Sequence, residues 1–204
     1  MKIQAICIGN AEHIDGKKTK TGILKHRVGG PVIVDSLGIA GDAVVNRKHH
    51  GGPEQALLID GSITLDWWAS ELGRALEPGT FGENLVIEGL DNRDVAAGDR
   101  FHGNEVVLEV TSARIPCSTF ALRMCDSRFV KRYFDAGRPG IYVRVLKPGM
   151  MAEGETVRYE AFNGPRVTMP EMMAKYGKAL NAEDRERYLA APVNAKIRDA
   201  ILAG

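Results

Sequence analysis

Across residues 1–160 the apolar positions alternate in short runs, which is the period of β-strands. Residues 3–8 read Ile-Gln-Ala-Ile-Cys-Ile, and Pro31-Val32-Ile33-Val34 is short and β-branched. An apolar run covers 55–59, and further strands are predicted at 84–87, 100–101, 105–110 and 140–145. Turn signals separate them, among them Gly29-Gly30-Pro31, Gly51-Gly52-Pro53, Pro78-Gly79, Gly98-Asp99, Gly103-Asn104 and Pro148-Gly149. Two stretches switch to helical spacing. One is 62–75, with Leu65, Trp68 and Leu72 on one face; the other is 118–136, with Phe120, Leu122, Phe129, Val130 and Phe134. Many short strands, few helices and no βαβ rhythm predict a mainly β fold with interspersed helices, closed or partly closed into a barrel-like architecture.

The pattern changes near Asn163-Gly164-Pro165, beyond which glycine thins and helix formers rise. This divides the chain into a β domain, 1–163, and a C-terminal helical extension, 164–204. Thr168 is the N-cap expected for a helix through 179, with Pro170 and Glu171 near its first turn. Asn181 caps a second helix over 183–190, and Pro192 opens a third ending at 202. An extension of this size is too small to fold alone, so it must pack on the β domain or on another subunit.

Charge narrows the function. With 27 Lys and Arg against 26 Asp and Glu, the net charge is +1, and no global field draws nucleic acid or acidic lipid. Anion binding must come from a local cluster. The first residues alternate like a strand rather than forming the apolar core of a signal peptide, and no apolar run nears the roughly 18 residues that span a bilayer. The expectation is a soluble cytoplasmic protein with no membrane or nucleic-acid partner. The three cysteines, Cys7, Cys117 and Cys125, are too few and too scattered for a disulfide framework or a C-x-x-C metal site.

Three clusters could carry chemistry. Gly41-Asp42 is followed by Arg47-Lys48-His49-His50-Gly51-Gly52-Pro53, where glycines open backbone N–H groups to an anion and cations supply charge; a solvated basic loop explains the same residues. Gly79-Thr80-Phe81-Gly82-Glu83-Asn84 could hydrogen-bond a heterocycle or phosphate, although local reasoning favours a turn with Phe81 plugging the core. Arg114-Ile115-Pro116-Cys117 follows a strand and precedes a helix. A cysteine at that corner, near an arginine, is favoured as thiolate, which is both a nucleophile and a soft metal ligand; a buried structural cysteine is the competing reading. Cys7 reads as structural, and Cys125 as a core or surface thiol rather than a partner of Cys117. The series Arg123, Arg128, Lys131, Arg132 and Arg138 reads as a solvated helix face, and Trp67-Trp68 as core.

In order, Gly41-Asp42, His50-Gly51-Gly52-Pro53-Glu54-Gln55-Ala56, Gly79-Thr80-Phe81-Gly82-Glu83-Asn84-Leu85, Gly98-Asp99 and Arg114-Ile115-Pro116-Cys117 resemble the MOSC family, the domain at the C-terminus of molybdenum cofactor sulfurases. With its helical tail the chain is similar to the YiiM-type bacterial subgroup. The resemblance implies a β-barrel-like fold that binds the molybdenum cofactor, a pterin dithiolene (molybdopterin) with a phosphate tail. It implies Cys117 as the thiolate facing molybdenum, and reduction of N-hydroxylated bases or related N-oxygenated compounds. Arg47, His49, Gly51, Gly52, Thr80, Phe81, Gly82, Asn84 and Arg114 fall within the motifs as cofactor-pocket residues, and His49 or His50 is the proton donor. No G-x-G-x-x-G fingerprint for a flavin or nicotinamide occurs, so electrons would come from a separate reductase. A homodimer is compatible with the tail. The alternatives are a non-catalytic cofactor carrier or sulfur-transfer module using the same cysteine, and a metal-free thiol enzyme pairing Cys117 with His49 or His50.

Overall fold

The computed structural model describes residues 1–47 and 50–204. Every strand expected from the alternation is present: β1 (Ile3–Gly9), β3 (Val32–Asp35), β5 (Leu57–Gly61), β6 (Leu85–Ile87), β7 (Arg100–His102), β8 (Val107–Ala113) and β9 (Ile141–Lys147). Four short strands escaped the periodicity: β2 (Lys25–Arg27), β4 (Gly38–Ile39), β10 (Gly149–Met151) and β11 (Arg158–Glu160). None exceeds three residues, too few to show a period of two.

Eight strands form one mixed sheet in the order β11-β7-β8-β9-β5-β6-β1-β2, and β10-β3-β4 form a second. Only the β5–β6 pair is parallel; the rest of the large sheet is antiparallel. The large sheet has edges at β11 and β2 and does not close into a barrel. The chain before β11 does reach back to the start of β1, through an isolated bridge between Lys2 and Thr156 and an Ile3 N–H bond to the Glu155 carbonyl at 2.9 Å. The architecture is therefore sheet-rich and mixed, with helices attached. Among the described residues no helix is long and apolar enough to cross a membrane.

Helix α1 (Ser62–Leu72) is where the pattern predicted one. The long helix expected over 118–136 is instead two: α2 (Ser118–Arg123) and α3 (Phe129–Ala136). Cys125 takes a left-handed φ of 53°. Its N–H bonds the Leu122 carbonyl at 3.1 Å, and the Asp126 N–H reaches the Ala121 carbonyl at 3.1 Å, which is a Schellman closure. That closure normally uses glycine, so the sequence carries no stop signal here.

These helices and α1 meet in an aromatic cluster. Trp68, Phe120, Phe129 and Tyr133 are all buried, together with Phe81 from the 79–84 turn. Trp68 stacks on Tyr133 with centroids 5.7 Å apart, and Phe81 meets Phe120 edge-on at 5.2 Å. Such offset and T-shaped pairs follow the ring quadrupoles.

The tail comprises α4 (Met169–Ala174), α5 (Ala182–Ala190) and α6 (Ala195–Leu202), capped by Thr168, Asn181 and Asn194. The first helix stops short of 179, and the third starts after Asn194 rather than at Pro192. All three pack on the β domain. Met169, Met172, Met173, Tyr188 and Ile201 lie in the same apolar core as the sheet. Met172 places its sulfur 3.2 Å from the Ala113 N–H at the end of β8.

Asp99 is the polar joint between the two parts. It is fully buried and accepts from the Ala96 N–H at 2.7 Å, the Phe162 N–H at 2.8 Å, the Tyr159 hydroxyl and Arg166. Removing one partner of such a group leaves the others unpaired in low dielectric. Asp99→Ala is expected to destabilise the protein by about 3 kcal/mol, with the tail and sheet losing structure in one transition. Denaturant unfolding followed by circular dichroism checks this; a loss below about 1 kcal/mol would contradict the role assigned to Asp99.

Candidate functional site

A cavity of ≈ 370 Å³ opens at one end of the central strands. There Leu58 of β5 pairs with Tyr142 of β9, and Ile59 pairs with Leu85 of β6. The chain leaving β8 at Ala113 passes the cavity as Arg114-Ile115-Pro116-Cys117 before turning into α2. Cys117 is the N-cap of that helix, in an extended conformation. The other walls come from the turns 42–46 and 50–56, the Gly82–Asn84 segment and a loop over 17–25.

Two close approaches shape this end of the sheet. A Cβ at Gly22 would collide with the Ala43 carbonyl oxygen, so only glycine lets the 17–25 loop press against the 42–46 turn. Gly79 has a φ of 88°, and a Cβ there would stand 2.5 Å from the Lys25 carbonyl oxygen. The buried Glu83 carboxylate ties the second turn by accepting the Gly79 N–H at 2.6 Å and the Phe81 N–H at 2.9 Å. Burial, reinforced by the negative charge of Asp60, pushes the Glu83 carboxyl up.

Several motif residues are committed to the fold. Asp42 holds the Lys25 ammonium at 2.5 Å and accepts from the Gly9 N–H at 2.8 Å and the Asn84 amide at 2.9 Å. Asn84 also donates to the Cys7 carbonyl at 3.2 Å and accepts from the Leu58 N–H at 3.1 Å, so it latches β1 to β5. Thr80 donates to the Glu77 carbonyl at 2.6 Å and does not border the cavity. Phe81 is buried in the aromatic cluster, the core plug that local reasoning favoured. Arg47 is exposed, and neither it nor Gly52 reaches the cavity wall. His49 lies outside the described residues. The basic series is also engaged: Arg123 donates to the Thr80 carbonyl, Lys131 pairs with Asp135, Arg132 with Asp126 and Arg138 with Asp91.

Arg114 borders the cavity but turns its guanidinium inward. It donates to the Phe81 carbonyl at 2.5 Å and lies 3.5 Å from the Phe120 ring centroid, a desolvated cation–π contact. Its charge reaches Asp60 and Glu83 on one side and Cys117 on the other.

Cys117 is half-buried on the cavity wall. Burial pushes its thiol up. A hydrogen bond from His50, the nearby Phe120 N–H and the Arg114 charge outweigh that and bring it down to about 7. The Phe120 N–H makes its own hydrogen bond to the Cys117 carbonyl, at 3.0 Å, so its influence on the sulfur is a field rather than a cap. His50 Nδ1 lies 3.4 Å from the Tyr142 hydroxyl. The site thus joins a thiolate, an imidazole and a phenol from three separate parts of the chain. Cys7 is buried, and desolvation pushes it up to about 12; Cys125 is exposed.

Of the residues singled out from sequence, Cys117, His50, Gly51, Gly82, Asn84 and Arg114 come together around the cavity. The sequence reading missed Tyr142, one position of an ordinary strand alternation, and the loop Gly16-Lys17-Lys18-Thr19-Lys20-Thr21-Gly22. The loop had a signal: three lysines interleaved with threonines between two glycines, the same composition that drew attention to residues 47–52. Lys17 and Lys20 border the cavity and form no ion pair among the described residues.

The MOSC domain model matches residues 46–158, more than half of the chain and all of the motif set from His50 onward. The chain belongs to the MOSC domain family. YflK of Bacillus subtilis (strain 168) is 34% identical over 140 residues, covering 69% of this chain and 63% of its own. A protein named reductase from Gibberella moniliformis is 33% identical over 148 residues, 70% of this chain but 26% of its own length. The chain thus spans less than two thirds of either relative. The crystal structure of YiiM from Geobacillus stearothermophilus superposes with a TM-score of 0.80 at 24% identity, over 99% of this chain and 97% of that one. The fold shared with that YiiM structure thus takes in the helical tail, which lies beyond the stretch matched by the MOSC domain model.

The site predicts a reactive thiol. In a Cys125→Ser background, alkylation of Cys117 by iodoacetamide should rise with pH through a midpoint near about 7. His50→Gln should move that midpoint upward toward the ordinary thiol range, because a bond favouring thiolate is lost. A wild-type midpoint above about 8.5, the value of a free thiol, would overturn this account of Cys117.

Proposed function

We propose that this chain binds the molybdenum cofactor in the cavity, with Cys117 as its thiolate ligand, and reduces N-hydroxylated bases or related N-oxygenated compounds. The observation that carries the reading is the Cys117 thiol, brought down to about 7 on the wall of a cavity also bordered by the lysine loop. The MOSC family is associated with this cofactor, and one relative bears the name reductase.

The donor set fits. Among the described residues no group of three His, Cys, Asp or Glu side chains could hold a bare metal ion. A single soft thiolate suits a metal that arrives already held by sulfur on an organic ligand. Lys17 and Lys20, with the amides of their loop, suit the phosphate tail of such a ligand. When bound, the cofactor would supply two electrons at the metal.

The chain supplies the rest. Cys117 would hold the metal, and the Arg114 charge favours its ionised sulfur. His50, beside Cys117, delivers a proton to the departing oxygen, with the Tyr142 hydroxyl 3.4 Å from its Nδ1. The reaction is R–NH–OH + 2 e⁻ + 2 H⁺ → R–NH₂ + H₂O: the N–O bond breaks and its oxygen leaves as water. A separate reductase provides the electrons.

Purified from a host that makes the cofactor, wild-type protein should carry molybdenum and pterin, and Cys117→Ala should lose most of its molybdenum. With reduced methyl viologen as donor, His50→Gln should keep its metal yet turn over 6-N-hydroxylaminopurine about 100-fold more slowly, the usual scale for a lost general acid. Equal molybdenum in wild type and Cys117→Ala would sink the reading. Full occupancy without turnover would instead place the chain among cofactor carriers.

A further inference from the structure

The buried polar side chains on the cavity wall, Thr21, Lys25, Asn84 and Arg114, already have partners in the fold. Asp42, Lys25, Asn84 and Arg114 are held as described. Gln55 is different. It closes a short 3-10 turn, Pro53–Gln55, and its backbone is fixed on both sides. Its N–H donates to the Gly52 carbonyl at 3.0 Å, and the next N–H, of Ala56, donates to the Val143 carbonyl at 2.9 Å. Gln55 lines the cavity, as do His50, Tyr142 and Cys117. Its Oε1 is buried and has no hydrogen-bond partner.

Among the described residues, the other buried side-chain atoms with no hydrogen-bond partner are on Asp60, Trp68, His102, Ser112, Arg144 and Tyr188, of which the His102 and Arg144 nitrogens lie near carboxylates. None of those residues borders the cavity. Buried polar groups are almost always paired, so an unpaired one on a cavity wall calls for a partner that enters the cavity. The terminal torsion of glutamine is broad, so the amide can present either atom without moving the turn.

We infer that Gln55 reads the hydrogen-bonding edge of a planar nitrogen heterocycle bound in the cavity. A primary amide offers an acceptor and donors side by side, complementary to a ring edge that carries N–H groups next to C=O or ring nitrogen. This rests on the proposed function, which supplies two sources of such an edge: the pterin of the cofactor and the base of an N-hydroxylated purine. The selectivity is for hydrogen-bonding edges over apolar rings, since a site with an unpaired buried amide disfavours a ligand that cannot satisfy it.

The test compares wild type, Gln55→Leu and Gln55→Glu, the last also covering a leucine that disturbs the turn. Pterin and molybdenum per chain are measured in preparations from a cofactor-making host. Binding of 2-amino-4-oxopteridine and of 6-N-hydroxylaminopurine to the purified chain is measured by titration calorimetry. Gln55→Leu should weaken one of the two interactions about 10-fold or more, the scale of one lost buried hydrogen bond. Gln55→Glu, with two acceptors, should restore binding of a ligand whose edge is all donors, such as the 2-amino and N3–H groups of a pterin; a merely structural residue would not show that recovery.

A drop in pterin content and pteridine affinity assigns Gln55 to the cofactor. A drop in purine affinity alone assigns it to the substrate. A Gln55→Leu chain that binds both heterocycles and holds pterin like wild type overturns the inference, as does a wild type that binds neither and carries no pterin. Gln55-dependent binding of a heterocycle by a chain that never acquires molybdenum would sink the molybdenum reading and leave this one standing.

Discussion

Arg114 carries a permanent charge into a nearly closed interior, with 6% of its surface exposed. A lone guanidinium there would be prohibitive, and the neighbourhood is built around making it tolerable. Phe120 offers its ring face, Phe81 its carbonyl oxygen, and Asp60 and Glu83 their nearby carboxyls. They arrive on three elements: Asp60 on β5, Phe81 and Glu83 on the 79–84 turn, Phe120 on α2. Holding one cation therefore fixes the relative positions of a strand, a turn and a helix. The end of β8 is fixed too, because the Arg114 N–H bonds the Gly140 carbonyl at 2.8 Å just before β9 begins.

Cys117 inherits that placement. Three residues beyond Arg114, it cannot move far from the guanidinium, and the same charge that needs buried acids behind it favours an ionised sulfur in front. Burial alone would drive the thiol upward, as it does for Cys7 in β1. The two cysteines differ in exposure and in neighbours: Cys7 is buried and faces Glu83 with only partial relief from Lys25 and Arg27, whereas Cys117 is half-buried and faces His50 and Arg114. An anionic thiol site can therefore sit against an apolar core.

The sequence disclosed the site unevenly, and the reasons are physical. The long strands were legible because one face of each is buried and the period of two survives in the residues. The break at Cys125 was hidden because a non-glycine residue adopts the left-handed conformation that usually announces a helix end. The Gly79–Asn84 motif was legible as important but not as to why. Its glycines and Glu83 serve the turn itself, and Asn84 is a latch between strands, so a loop read as a binding motif turned out to carry the frame of the site. Tyr142 could not be found from local pattern, since only the pairing of β9 with β5 brings it to His50. Gln55 stood inside a noted motif, and its significance appears only once its neighbours prove to be hydrogen-bonded and it does not.

The tail contributes no side chain to the cavity wall, yet it belongs to the same constraint. Met172 seats its thioether against the Ala113 N–H, the residue immediately before Arg114, and the Asn194 N–H bonds the Thr111 carbonyl at 2.9 Å two residues earlier. The end of β8 is thus gripped by the tail as well as by the groups around Arg114. Thioether packing is adaptable, but three buried methionines on one short helix leave little room for the strand end to shift. A strand end held by a desolvated cation and by packed helices places the following cysteine rigidly. That rigidity explains how a helical extension with no polar group in the site can still matter to what the site does.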